Sequence, residues 1–147
     1  MIINFKIFEK IDQSILDDFL YKYEKYKRDY KHSYEDTRDS IFKKALRYNV
    51  PIEFYDEVEI LYYLYLGSHN LADPLNNNIK KNVKKYVLNS ILKKIDDNPD
   101  LYYKLKKTLT VPMDNIYDLT LKYVFFLFHA VIKRSTKFMS DINKYNL

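Results

Sequence analysis

Glycine occurs only once in the 147 residues of the chain, at Gly67. β-Rich folds depend on tight turns, and many tight turns use glycine because it reaches positive φ angles without a steric penalty. Loops that cradle phosphate groups also need several glycines, so that backbone N–H groups can approach the ligand. The sequence therefore predicts an all-α fold and argues against a sandwich, a barrel or a nucleotide-binding loop.

The composition predicts one folded domain. Hydrophobic residues make up 47% of the chain, and a chain of this length buries roughly two-thirds of its unfolded surface without disulfides or metals. We expect a single helical domain over 1–147 that frays at 1–11 and 140–147. The chain has no cysteine, no visible secretory signal and no apolar run long enough to span a bilayer. An intracellular location is therefore expected, which for a viral protein means the host cytoplasm.

Prolines mark most of the predicted helix starts, because proline is favoured in the first helical turn. The predicted helices cover about 12–31, 36–48, 51–67, 74–95, 99–109 and 114–139, with Asp12 or Ser14 capping the first and Asp114 the last. Residues 124–128 are apolar on every side of the last helix. This pattern predicts a bundle of about five to six helices around an apolar C-terminal helix.

Polar groups are not arranged in any known catalytic or metal-binding motif. The three histidines lie far apart in sequence, and His129, inside the apolar run, is predicted to be a core histidine. The acidic residues Glu53, Asp56, Glu57 and Glu59 are predicted to form a solvated first turn that complements the helix dipole, with a hard-cation site as the alternative. We expect no enzyme activity, no catalytic residue, no metal and no cofactor.

Two regions could bind a macromolecular partner. The tyrosine-rich first helix contributes Tyr23, Tyr26 and Tyr30, and tyrosine is enriched in interface hot spots. Leu88 and Leu92 stand among lysines, which indicates either another helix packed against them or a partly apolar docking surface. We expect these five residues to bind a protein partner, while the oligomeric state stays open and includes a homodimer.

Lysines of the fourth and fifth predicted helices offer an alternative, in a chain of net charge +5. Lysine neutralises phosphates and tyrosine stacks on unpaired bases, so the region 80–107 suits nucleic acid. A merely solvated basic face is the other interpretation. The residues are Lys80, Lys81, Lys84, Lys85, Lys104, Lys106 and Lys107.

The abundance of lysine, isoleucine, asparagine and tyrosine is typical of AT-rich coding and fits a virus or a mobile element. In predicted architecture and composition the chain resembles, in outline, the Bcl-2-type immune-evasion proteins of large DNA viruses, although the Trp-Gly motif of the cellular members is missing because the chain has no tryptophan. The leading hypothesis is a non-enzymatic helical interaction module that binds a host factor. A nucleic-acid-binding accessory protein is the alternative.

Overall fold

The computed structural model describes residues 9–66 and 77–145, with side chains at 9–65 and 77–134. Over these stretches the chain forms six α-helices and no strand, which confirms the all-α prediction. The helices are α1 (Gln13–Asp29), α2 (Lys31–Arg47), α3 (Tyr55–Leu66), α4 (Asn77–Asp97), α5 (Asp100–Thr108) and α6 (Leu119–Tyr145). Short 3₁₀ turns at Ile52–Phe54 and Met113–Asn115 lie before α3 and α6. The predicted helix end at Gly67 and start at Pro74 lie outside the described residues.

The start of α1 is held in place by side chains. Asp12 caps the helix as predicted, because its carboxylate accepts hydrogen bonds from the Ser14 backbone N–H at 3.2 Å and from the Ser14 hydroxyl at 2.8 Å. The Glu9 N–H donates to the Asn89 side chain at 2.8 Å, and the Asn89 amide donates back to the Glu9 carbonyl at 3.0 Å. The Asp12 N–H donates to Asn82 at 2.8 Å. Residues 9–11, which were expected to fray, are therefore tied to α4.

The junction between α1 and α2 is a single residue, Tyr30. Its backbone, at φ −122° and ψ 45°, is not helical, yet its N–H donates to the Tyr26 carbonyl and its carbonyl accepts from the Tyr34 N–H, both at 2.9 Å. The helical hydrogen bonds thus continue through a bend. The predicted gap between the first two helices is wrong, since α2 begins at Lys31, five residues before the expected start at Asp36.

The turn from α2 to α3 uses asparagine where many proteins have glycine. Asn49 adopts φ 58°, a left-handed conformation that asparagine tolerates better than most residues do. Its carbonyl accepts a hydrogen bond from the Thr108 hydroxyl at 2.8 Å. Pro51 then leads into the 3₁₀ turn and α3, as the sequence predicts.

Helix α3 occupies the centre of the bundle, where it packs against α2, α4 and α6. Residues on all sides of it are buried, including Val58, Leu61, Tyr62, Tyr63 and Leu64. Helices α1 and α4 pack against each other at one edge, and α5 contacts α4 and α6. The buried side chains form one continuous apolar core.

Helix α6 differs from its prediction at both ends and on one face. It begins at Leu119, after Asp118 rather than Asp114, because the Asp118 carboxylate accepts the Leu121 N–H at 3.0 Å while Asp114 lies in the preceding 3₁₀ turn. It continues to Tyr145. The expectation that it is enclosed on every side is wrong, since Phe126 is 60% exposed. Among the described residues, no helix combines the length and apolarity that crossing a membrane requires.

Candidate binding surface on α4 and α6

The predicted partner site must be corrected at four of its five residues. Tyr23, Tyr26, Leu88 and Leu92 are only 3%, 6%, 6% and 1% exposed. They are core residues and are not available to a partner on the surface of the folded chain. Only Tyr30, which is 63% exposed, lies on the surface. The sequence pattern was misleading because tyrosine is found in cores as readily as at interfaces.

Tyr23 of α1 and Tyr34 of α2 meet at a buried carboxylate. Glu59 on α3 is 3% exposed, and it accepts hydrogen bonds from the hydroxyls of Tyr23 and Tyr34, the latter at 2.5 Å. The Lys27 ammonium lies 4.3 Å from the centre of the Tyr23 ring. Burial, together with the neighbouring Glu59 carboxylate, raises the pKa of Tyr23 above its ordinary value. This network joins α1, α2 and α3.

The acidic cluster at the start of α3 is not the solvated turn that the sequence predicts. Glu57 is 2% exposed, and it pairs with Lys94 at 2.6 Å and accepts the Ser90 hydroxyl at 2.8 Å. Glu53 pairs with Lys104 at 3.2 Å. Of the four acids, only Asp56 is exposed. Glu57 thus links α3 to α4, and Glu53 links the preceding 3₁₀ turn to α5. No group of three potential metal ligands occurs in the described part of the chain.

His129 also differs from its prediction. It was expected in the core, but its side chain is exposed. Phe125 and Phe128, at nearby positions of the same helix, are fully buried. An uninterrupted apolar sequence therefore does not identify the face of α6 that meets the core.

A groove between α4 and α6 contains the four lysines predicted on the fourth helix. It has a volume of about 460 Å³, and we call it the α4–α6 groove. Leu88 and Leu127 supply its apolar side chains, and Leu88 is itself packed into the core. Of the two interpretations that the sequence left open for Leu88, the structure therefore supports a leucine covered by a neighbouring helix and not a docking surface. The lining residues are Glu9, Asn77, Lys80, Lys81, Lys84, Lys85, Leu88 and Leu127.

A pair of stacked tyrosines lies beside these lysines. The rings of Tyr65 on α3 and Tyr123 on α6 are 4.5 Å apart between centres and nearly parallel, at 9°. The Lys84 ammonium lies 5.4 Å and 5.5 Å from the two ring centres, and the Lys80 ammonium lies 5.9 Å from that of Tyr65. Burial, and after it the Tyr123 hydroxyl, raises the pKa of Tyr65 to about 12. Three helices thus bring two aromatic rings and two cations together.

An exposed apolar row continues from this pair along α6. Leu119, Tyr123 and Phe126 are 72%, 43% and 60% exposed. They occupy positions i, i+4 and i+7, which lie on one face of a helix. We call these three residues the α6 apolar row. The sequence did not predict this row, because Phe126 was expected in the core with the rest of 124–128 and no role was predicted for Leu119 and Tyr123.

The two helices that border the groove are free of acidic residues over long stretches. Neither 77–95 of α4 nor 119–134 of α6 contains aspartate or glutamate. Glu9, the one acid among the described residues that line the groove, is paired with Arg134 at 2.5 Å. The cations here include Lys80, Lys81 and Lys84, and this side of the molecule therefore carries positive charge next to exposed apolar groups.

The lysines predicted on the fifth helix lie elsewhere. Lys104 is paired with Glu53, and the Lys106 ammonium lies 5.5 Å from the centre of the Tyr102 ring. Lys107 lines a different cleft, of about 490 Å³, between the α2–α3 turn and α5. None of the described residues that line this cleft also lines the α4–α6 groove. The predicted basic region 80–107 is thus divided between two separate places.

Known proteins give no further guide to this surface. Comparisons of the chain with protein-family models, with curated proteins and with solved structures found no match.

Proposed function

We propose that the protein is a non-enzymatic helical interaction module that binds a protein partner through the α6 apolar row and the adjoining α4–α6 groove. The observation that carries the proposal is the exposure of Leu119 and Phe126, at 72% and 60%, on the same helix face. As part of the same proposal, we infer from the AT-rich residue usage a viral or mobile-element origin. The partner is then an intracellular host protein.

The physical basis is the hydrophobic effect. Single exposed apolar side chains are common on protein surfaces, whereas adjacent ones rimmed by polar groups mark interaction sites. Complete burial of a leucine or phenylalanine side chain contributes about 1.5–3 kcal/mol to association. Phe126 and Leu119 are therefore the residues expected to dominate binding, and Tyr123, already stacked on Tyr65, adds a rigid aromatic contact.

Site-specific photo-cross-linking tests this proposal. A photoreactive phenylalanine analogue is placed at Phe126 and, as a control, at Leu46, which is 68% exposed on α2. We expect a discrete cross-linked protein from position 126 and none from position 46. The identified partner is then purified, and Phe126→Ser should weaken its binding by about tenfold or more while Leu46→Ser leaves it unchanged. Equal cross-linking from both positions, or full affinity of Phe126→Ser, would refute the proposal.

Single-stranded nucleic acid is the second candidate ligand, supported by the position of Lys84 beside the stacked Tyr65 and Tyr123 rings. An exposed tyrosine offers a stacking surface for a base, and Lys80, Lys81, Lys84 and Lys85 offer contacts to phosphates. If all four lysines neutralise phosphates, the logarithm of affinity should fall with the logarithm of salt with a slope of about −3. A titration of oligonucleotides at several salt concentrations measures this slope. A flat salt response would exclude this candidate.

A further inference from the structure

Only some of the cations at the α4–α6 groove are paired with other groups of the chain. Lys85 donates to the Lys10 carbonyl at 3.0 Å, and the groove's Glu9 is paired with Arg134. Lys80, Lys81 and Lys84 have no carboxylate partner among the residues at 9–65 and 77–134. Three ammonium groups at one groove attract an acidic ligand and repel a basic one.

The apolar groups next to these cations follow helical spacing. The α6 apolar row covers positions 119 to 126, which corresponds to roughly 10 Å along the helix axis. A partner helix with apolar residues at i, i+3 or i+4 and i+7 presents a row of the same length. Leu127 extends the apolar contact into the groove, toward the lysines of α4.

From charge and shape together, we propose that the partner segment is an acidic amphipathic helix lying along the α4–α6 groove. Its apolar face packs on the α6 apolar row, and its carboxylates meet Lys80, Lys81 and Lys84. This inference rests on the proposed function and names the class of partner.

Charge and side-chain chemistry disfavour the other occupants. A second copy that docked through the same face would bring its own lysines against Lys80, Lys81 and Lys84, and juxtaposed like charges destabilise a complex. A nucleic-acid strand would leave Leu119 and Leu127 without a suitable contact, since leucine neither stacks on bases as an aromatic ring does nor donates a hydrogen bond. An acidic helix satisfies both the leucines and the lysines.

Selection from a random peptide library tests the inference. Peptides of about four helical turns, roughly 15 residues, are displayed and selected against the full chain, and the enriched sequences are synthesised as the probes. We expect glutamate and aspartate to be enriched together with apolar residues at helical spacing. Affinity for these peptides should fall by about tenfold or more in Lys81→Glu/Lys84→Glu, because each substitution places a carboxylate opposite a carboxylate.

Matched controls separate charge from folding. Lys43→Glu/Arg47→Glu changes the net charge by the same amount at two exposed positions of α2, and it should leave affinity within about twofold. The single variant Lys81→Glu, at an exposed position without a ring contact, repeats the test if the double variant unfolds.

The outcomes distinguish this inference from the proposed function. Neutral or basic peptides that still require Phe126 would overturn the acidic helix and leave the proposed function intact. Peptides whose binding is insensitive to Phe126→Ser would remove both. The absence of any enriched peptide, or tighter binding of a single-stranded deoxythymidine oligonucleotide that displaces the best peptide, would also overturn the acidic helix.

Discussion

The hydrogen bond between Tyr23 and the buried Glu59 carboxylate should be a major local contribution to stability, and Tyr23→Phe removes it with little change in shape. A hydrogen bond to a charged acceptor contributes about 1.5–3 kcal/mol. Because Tyr34 still donates to Glu59 at 2.5 Å, we expect a loss of about 2 kcal/mol in the free energy of unfolding. At about 3 °C per kcal/mol for a domain of this size, Tm should fall by about 6 °C.

Urea unfolding followed by far-ultraviolet circular dichroism measures this loss. Tyr30→Phe is the matched control, since Tyr30 lies at the end of the same helix and is 63% exposed, so its change should stay within about 0.5 kcal/mol. A double-mutant cycle with Glu59→Gln isolates the pair, and we expect a coupling energy of at least about 1 kcal/mol. If Tyr23→Phe loses less than about 0.5 kcal/mol, or if the two substitutions are additive, the buried network does not stabilise the fold as argued.

Two further predictions concern alkaline stability and the contrast between core and surface. Tyr23, Tyr62 and Tyr63 are at most 3% exposed, and burial raises the pKa of each. These tyrosines ionise near pH 10 in the unfolded chain but stay neutral in the folded chain. The free energy of unfolding is therefore unchanged below about pH 10, and above it falls by about 4 kcal/mol per pH unit for the three tyrosines together. Unfolding monitored by circular dichroism and tyrosinate absorbance checks this, and unchanged stability from about pH 10 to 11 would contradict it. Leu88→Asp places a charge at a side chain that is 6% exposed, and it should lower the free energy of unfolding by more than about 3 kcal/mol in urea titrations, whereas Phe126→Ser should change it by less than about 1 kcal/mol. Equal effects of the two substitutions would show that α6 is packed differently.

Features that depend on neighbouring residues could be predicted. The single glycine indicated helices, and Asp12, Pro51 and Pro99 marked helix starts that the structure confirms. A cap or a proline acts through the backbone of the next few residues, so the sequence alone contains its effect. The α1–α2 junction was not predicted because it carries no such local signal: Tyr30 is not a proline, a glycine or a favoured capping residue.

The candidate site was predicted only in part. The lysines of the α4–α6 groove were named, but the tyrosines that lie beside them were not. Tyr65 and Tyr123 are far apart in the sequence and meet only when α3 and α6 pack together. The burial of Glu57 and Glu59 likewise depends on partners from distant helices, namely Lys94, Tyr23 and Tyr34.

The sequence by itself determined the helical class, the single apolar core and the helix starts at Asp12, Pro51 and Pro99, because backbone preferences and apolar periodicity act over a few residues. Only the tertiary structure decided which side of each helix is covered. α3 has neighbours all round and so buries even its glutamates, whereas α6 is uncovered along one side and leaves Phe126 in solvent. The burial of a side chain depends on what packs over it, and in a bundle that is another helix, distant in sequence.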